Sequence, residues 1–94
     1  MHMTKHRINQ AIAEAGYDDE GILLADGYED AFIGFSAYQP NRPPCAIYDY
    51  NKCIKILHKR DKMSMEDAME FFEFNTVGAW VGEHTPIFLM KPFF

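Results

Sequence analysis

"CAIYDYNKCIKILHKR", residues 45–60, decides how the rest of the chain can fold. Its first six residues, Cys45 to Tyr50, have the length and the apolar-aromatic character of a strand. The period then changes: Tyr50, Cys53, Ile54 and Leu57 fall at i, i+3, i+4 and i+7, the stripe of an amphipathic helix. Asp49 stands where a side-chain oxygen can cap that helix. His58, Lys59 and Arg60 close it with positive charge, opposite in sign to the C-terminal end of the helix dipole. A strand that turns directly into a helix in mid-chain points to an α+β domain.

Toward the N-terminus the signals alternate between turn and apolar run. "QPNRPP" (39–44) is a loop, and "AFIGFSAY" (31–38) is apolar on both faces and suits a central strand, with Gly34 marking a bulge or a close approach by a helix. "GYED" after Asp26 is a turn, and "ILLAD" (22–26) is a second run of strand length. These three strands with short connections predict an antiparallel meander. Before them, residues 4–16 read as a helix with Thr4 as cap, an apolar stripe of Ile8, Ala11, Ile12 and Ala15, and Gly16 as the stop.

Toward the C-terminus "DKM" is a tight joint, and Ser64 caps "MEDAMEFFEFN" with acids in the first turn. Met65, Ala68, Met69, Phe72 and Thr76 form one stripe, and Phe71 and Phe74 widen it. Such a wide apolar face predicts a helix buried on two sides. In "VGAWVGEHTP", Gly78 is expected to take a positive φ as the helix stop, Gly82 to make a second turn, and Trp80 with Val81 to plug the core. Pro86 then admits "PIFLM" as a closing strand. The predicted order is α-β-β-β-α-α-β over one domain, 1–94: a small antiparallel sheet, three-strand meander plus C-terminal strand, against two or three helices.

Composition removes several function classes. A net charge of −5 does not suit a non-specific nucleic-acid binder, which needs a basic surface to displace phosphate counterions. No apolar run is long enough to span a bilayer, and the start lacks a signal peptide's apolar core, so no membrane partner and a cytoplasmic setting are expected. Cys45 and Cys53 have neither zinc-knuckle nor redox-pair spacing and read as two free thiols.

Chemistry-bearing clusters are sparse. Glu83 and His84 are an acid and an imidazole side by side, able in principle to act as acid and base or to supply two metal ligands. A metal site wants at least three, and the ligand spacings of zinc sites are missing, so no metal and no cofactor are expected. The acids of "YDDEG" and "DGYED" flank turns, where they bond their own backbone. Ser36 lacks a nucleophile elbow and Ser64 is a cap.

The stretches "ILLADGYEDAFIGF", "AIYDYNKCIKIL" and "MSMEDAMEFFEFNTVGAWVGEHTPIF" resemble a family of small, uncharacterised proteins encoded by tailed bacteriophages. The motifs are Asp-Gly-x-x-Asp-Ala, Tyr-Asp-Tyr-x-Lys-Cys and Glu-Phe-Asn-x-x-Gly-Ala-aromatic-x-Gly-Glu-x-Thr-Pro. They span roughly residues 22–90, and leave out "QPNRPP" and "KPFF". The resemblance implies a phage protein acting in the bacterial cytoplasm, and it brings no catalytic residues.

The expectation is therefore a non-enzymatic interaction protein that binds a host protein or itself, as a homo-oligomer. Its contact surface is sought at Phe71, Phe74, Trp80, Phe93 and Phe94, with Glu70 and Glu73 as an acidic rim, although Phe71 and Trp80 fit a core position better. The alternative is a protein that sequesters a small molecule or nucleotide derivative, in a pocket of Trp80, Tyr48 and Tyr50 with Glu83 and His84 as polar anchors. A small hydrolase using Asp26, Asp30 or Glu83 with His84 is a third possibility.

Overall fold

The strand-to-helix switch at Asp49 forms as the pattern requires. In the computed structural model, which describes residues 2–92, strand β2 (Ala46–Asp49) runs into helix α2 (Tyr50–Arg60) with no loop between them. The Asp49 carboxylate accepts from the Lys52 amide at 3.2 Å and pairs with the Lys91 ammonium at 3.4 Å. It thus caps the helix and ties down the chain beyond the last strand. Tyr50, Cys53, Ile54 and Leu57, the stripe read from the sequence, are all buried.

β2 is the middle strand of a three-stranded sheet ordered β1-β2-β3. β1 (Phe32–Phe35) pairs with it antiparallel, and the register slips between Phe32 and Gly34, a bulge at the glycine the sequence marked. No atom lies within 4 Å of the space a Gly34 side chain would enter, so close helix packing is not the reason. β3 (Ile87–Leu89) pairs with the other edge of β2 in parallel. The chain reaches that edge only after both C-terminal helices, and a long crossover of this kind permits parallel pairing.

The α+β class thus holds, but the sheet is mixed rather than antiparallel throughout, and the first predicted strand is absent. Residues 22–25 form no regular element and Asp26 begins a turn, so this segment does not join the sheet. Instead Ile22, Leu24 and Ala25 pack on the core, and the Ala25 amide donates to the Tyr48 hydroxyl at 2.8 Å. A side chain here replaces a strand ladder. A 3-10 turn, Glu29–Ala31, then leads into β1.

Helix α1 (Lys5–Glu14) has the predicted Thr4 cap, whose hydroxyl accepts from the Arg7 amide. It stops at Gly16 (φ 82), with Gly16 N–H bonded to the Ala13 carbonyl and Tyr17 N–H to that of Ile12. This pair of bonds satisfies orphan carbonyls in the manner of a Schellman stop. Of its expected stripe only Ile8 and Ile12 are buried. Helix α3 (Met65–Phe72) starts at Ser64, whose hydroxyl accepts from the Asp67 amide.

The core is aromatic and centred on Phe72, the fully buried end of α3. Its ring meets Tyr28 at 5.3 Å, Tyr50 at 5.4 Å and Phe88 at 4.9 Å, all edge-to-face. Tyr48 continues the cluster to Phe32 and Phe88. Such pairs add about 0.5–1.5 kcal/mol each beyond burial. The Tyr50 hydroxyl is the one exception to polar satisfaction among buried side chains of the described residues. Burial raises its pKa and nearby Glu73 adds to this, but no hydrogen bond of ordinary geometry joins the two.

Two substitutions test this core. Phe72→Ala should cost about 3–5 kcal/mol, with Phe72→Leu as the milder, foldable variant, both read by urea unfolding; a loss under about 1 kcal/mol for Phe72→Ala contradicts the central placement of the ring. Tyr50→Phe should stabilise the fold by about 1 kcal/mol, because it removes an unpaired buried hydroxyl. In a domain of this size that is a Tm increase of roughly 4–8 °C, and a decrease would show that the hydroxyl has a partner.

Candidate interaction surface

α3 does not end as a regular helix. It passes into a wide π turn, Glu73–Val77, closed by the Gly78 amide donating to the Glu73 carbonyl five residues back at 3.1 Å. The Asn75 side-chain amide donates to the Phe71 carbonyl and occupies part of the preceding turn. Polar side chains that reach back to backbone groups in this way compete with regular helix bonding. Gly78 has φ −77, so the expected positive-φ stop is not what this glycine provides. A side chain there would meet the Glu73 carbonyl at 3.2 Å, a tight contact that glycine avoids.

This turn presents the aromatic residues to solvent. Only Ala68 and Phe72 of α3 are buried, so the helix packs on one side and not on two. Phe71 is 41% exposed, Phe74 85% and Trp80 75%, with Met65, Met69, Val77 and Val81 also exposed. The expectation that Phe71 and Trp80 fill the core is overturned. The aromatic core is built instead on Phe72, with Phe88 packed against it. Glu70 and Glu73 are exposed; Phe71 and Phe74 bound a shallow cleft of about 320 Å³ with Asp67, Glu70 and Asn75, whereas Trp80 lines a different one. Phe93 and Phe94 lie outside the described residues.

The loop after Trp80 is held by its own polar groups. Thr85 accepts from the Val81 amide at 3.0 Å, and its hydroxyl and amide both donate to the Gly82 carbonyl. Gly82 takes φ 115, as its turn role required. The imidazole Nδ1 of His84 is 2.8 Å from the Pro44 carbonyl, as donor in that tautomer, and the ring lies against Gly21. The Glu83 side chain is exposed, and its backbone carbonyl accepts from the Cys45 thiol at 3.3 Å. Glu83 and His84 therefore fasten the loop to the segment before β2.

The acids of the other turn are also engaged. Asp26 pairs with Lys5 at 2.9 Å, Glu29 accepts from the Gly27 amide, and Asp30 accepts from His2 and the Met3 amide. The His2 contact holds the Asp30 carboxyl below the usual range. Glu29 and Asp30 line a cleft beside α2, whereas Glu83 lines a different one of about 490 Å³ with Trp80 and Cys45. Acids and imidazole do not converge. Tyr48 and Tyr50 lie in the core, so the expected pocket that joined them to Trp80 is not formed. Among the described residues no three His, Cys, Asp or Glu side chains group around a point that could hold a metal, and no helix is long and apolar enough to cross a membrane.

The basic face of α2 is a feature that sequence patterns left unassigned. Lys52, Lys55 and Lys59 line a cleft of about 600 Å³ together with Ile56. Their spacing of three and four residues places them opposite the buried stripe of α2, a signal that is legible but hidden under the basic end of the helix. Comparison with known proteins returned no matching family model, curated relative or solved structure.

Burial pushes the Cys53 thiol up to about 12 and raises that of Cys45. The Cys53 thiol has a reference pKa of 9.0 when exposed on unfolding, so between pH 9 and about 12 the folded chain holds the extra proton and stability falls as pH rises. Cys53→Ala should flatten that decline in urea midpoints, and a native Cys53 should resist a thiol reagent at pH 8 until the chain unfolds. Rapid native labelling of Cys53 would contradict its burial.

Proposed function

We propose that this is a non-enzymatic interaction protein that docks on another protein through the tract Phe71, Phe74 and Trp80, rimmed by Glu70 and Glu73. The observation that carries this is the exposure of Phe74 and Trp80, close in sequence to a fully buried Phe72. Leaving a large apolar side chain in water instead of burying it forgoes about 1.5–3 kcal/mol. Aromatics are also the residues most enriched at the energetic centres of interfaces. The acidic rim favours a partner groove with basic edges over an acidic one.

The other chemistry-bearing groups support a binding role. His84 is committed to the Pro44 carbonyl, and Asp26 and Asp30 each have a partner. On the resemblance to phage-encoded proteins, the setting is the cytoplasm of an infected bacterium, where the partner is a host protein or a second copy of the chain. Glu83 belongs to the edge of the Trp80 cleft and acts as a peripheral polar contact.

The tract is tested without knowing the partner. Trp80 is the single tryptophan, so in dilute protein its fluorescence should be fully accessible to acrylamide. Phe74→Ser with Trp80→Ser should leave stability within about 0.5 kcal/mol of the parent. A photo-crosslinking residue at position 74 should form a discrete protein adduct that the same group at Gln10 does not. A shielded indole in the monomer, or a stability loss above about 2 kcal/mol, overturns the reading.

A further inference from the structure

The cleft beside α2 and the tract after α3 are chemical opposites. Lys52, Lys55 and Lys59 are exposed, and none of the three ammonium groups has an ion-pair partner among the described residues. Five of the nine basic residues of a chain with net charge −5 fall between positions 52 and 62. Glu29 and Asp30 also line the cleft, Glu29 bonded by the Gly27 amide and Asp30 by the Met3 amide and His2, but Lys52, Lys55, Lys59 and Arg60 outnumber them. Half-buried Ile56 and the lysine stems give the cleft aliphatic walls beneath a cationic rim. The clefts beside α2 and beside Phe74 share no lining residue.

We infer that the tract of one copy docks into the α2 cleft of a second copy, head to tail, an inference that rests on the docking role proposed for Phe74 and Trp80. The occupant is identified by complementarity. Ammonium groups meet the faces of exposed aromatic rings favourably, and more so once water is excluded. Glu70 and Glu73 pair with whichever lysines remain. A two-fold contact of tract with tract would bring two acid-bearing surfaces (Asp67, Glu70, Glu73) together with no lysine between them, and like charges across a contact oppose association. Joining unlike surfaces leaves one free tract and one free cleft at the ends of every dimer. Such a contact propagates into a chain or closes into a ring.

The open contact makes an unusual prediction for mixtures. Wild-type protein should grow in mass with concentration by light scattering, and lose this association in about 1 M salt, where screening acts within about 3 Å. The double variants Phe74→Ser/Trp80→Ser and Lys55→Glu/Lys59→Glu should each be monomeric, with circular dichroism spectra of the folded parent. Mixed one to one, they retain between them a single compatible tract and cleft, so the mixture should form a dimer of twice the protomer mass and nothing larger. Wild-type protein that stays monomeric at millimolar concentration overturns the inference, and so does undiminished assembly by Lys55→Glu/Lys59→Glu. If assembly is lost in Phe74→Ser/Trp80→Ser but the mixture does not pair, head-to-tail docking falls while the docking role of the tract stands. If Phe74→Ser/Trp80→Ser assembles as the parent does, both fall.

Discussion

The Phe72 ring is the contact on which the arrangement depends. It is held edge-to-face by Tyr28 before β1, Tyr50 at the start of α2 and Phe88 in β3. These lie far apart in sequence, and one buried ring joins them to the end of α3. Because Ala68 is the only other buried residue of that helix, α3 is fastened by one face and by little else. The chain beyond Phe72 is then free to leave the core, and the π turn carries it out into solvent.

The elements legible in the sequence are those whose signal is local. Asp49, Ser64 and Thr4 act as caps because a short polar side chain can reach an orphan amide three residues on, and nothing distant has to agree. The α2 stripe is legible for a related reason: four apolar residues at helical spacing can be satisfied by any core. Residues 22–26 carry the pattern of a strand and do not form one; Ile22, Leu24 and Ala25 pack on the core instead, and the Ala25 amide bonds the Tyr48 hydroxyl. The parallel pairing of β3 is likewise a fact about where two helices deliver the chain, not about "PIFLM" itself.

Much the same division applies to the surface. Sequence spacing puts Phe71, Phe74 and Trp80 with Glu70 and Glu73 at the place where exposure concentrates. It does not separate core from surface for Phe71 and Trp80, because that depends on which rings build the core, here Phe72 with Phe88 packed against it. Regular helical periodicity also assumes 3.6 residues per turn, and a π turn abandons that period. Gly78 reads as a stop, but what it avoids is a tight contact with a carbonyl, which no residue pattern encodes. Glu83 and His84 look reactive as neighbours in sequence, whereas in space they serve as fasteners for a loop.

The wide turn at 73–77 also bears on how such a chain can diverge. Wide turns of this kind correspond to one residue more than an ordinary helical turn holds. Here the surplus lies between two anchored rings, Phe72 on one side and Phe88 on the other. Lineages that gain or shed a codon in this interval can rotate the outward side chains by a fraction of a turn while the interior stays as it was. The exposed side chains and the buried rings thus lie on separate stretches of the chain, and change in the first need not disturb the second.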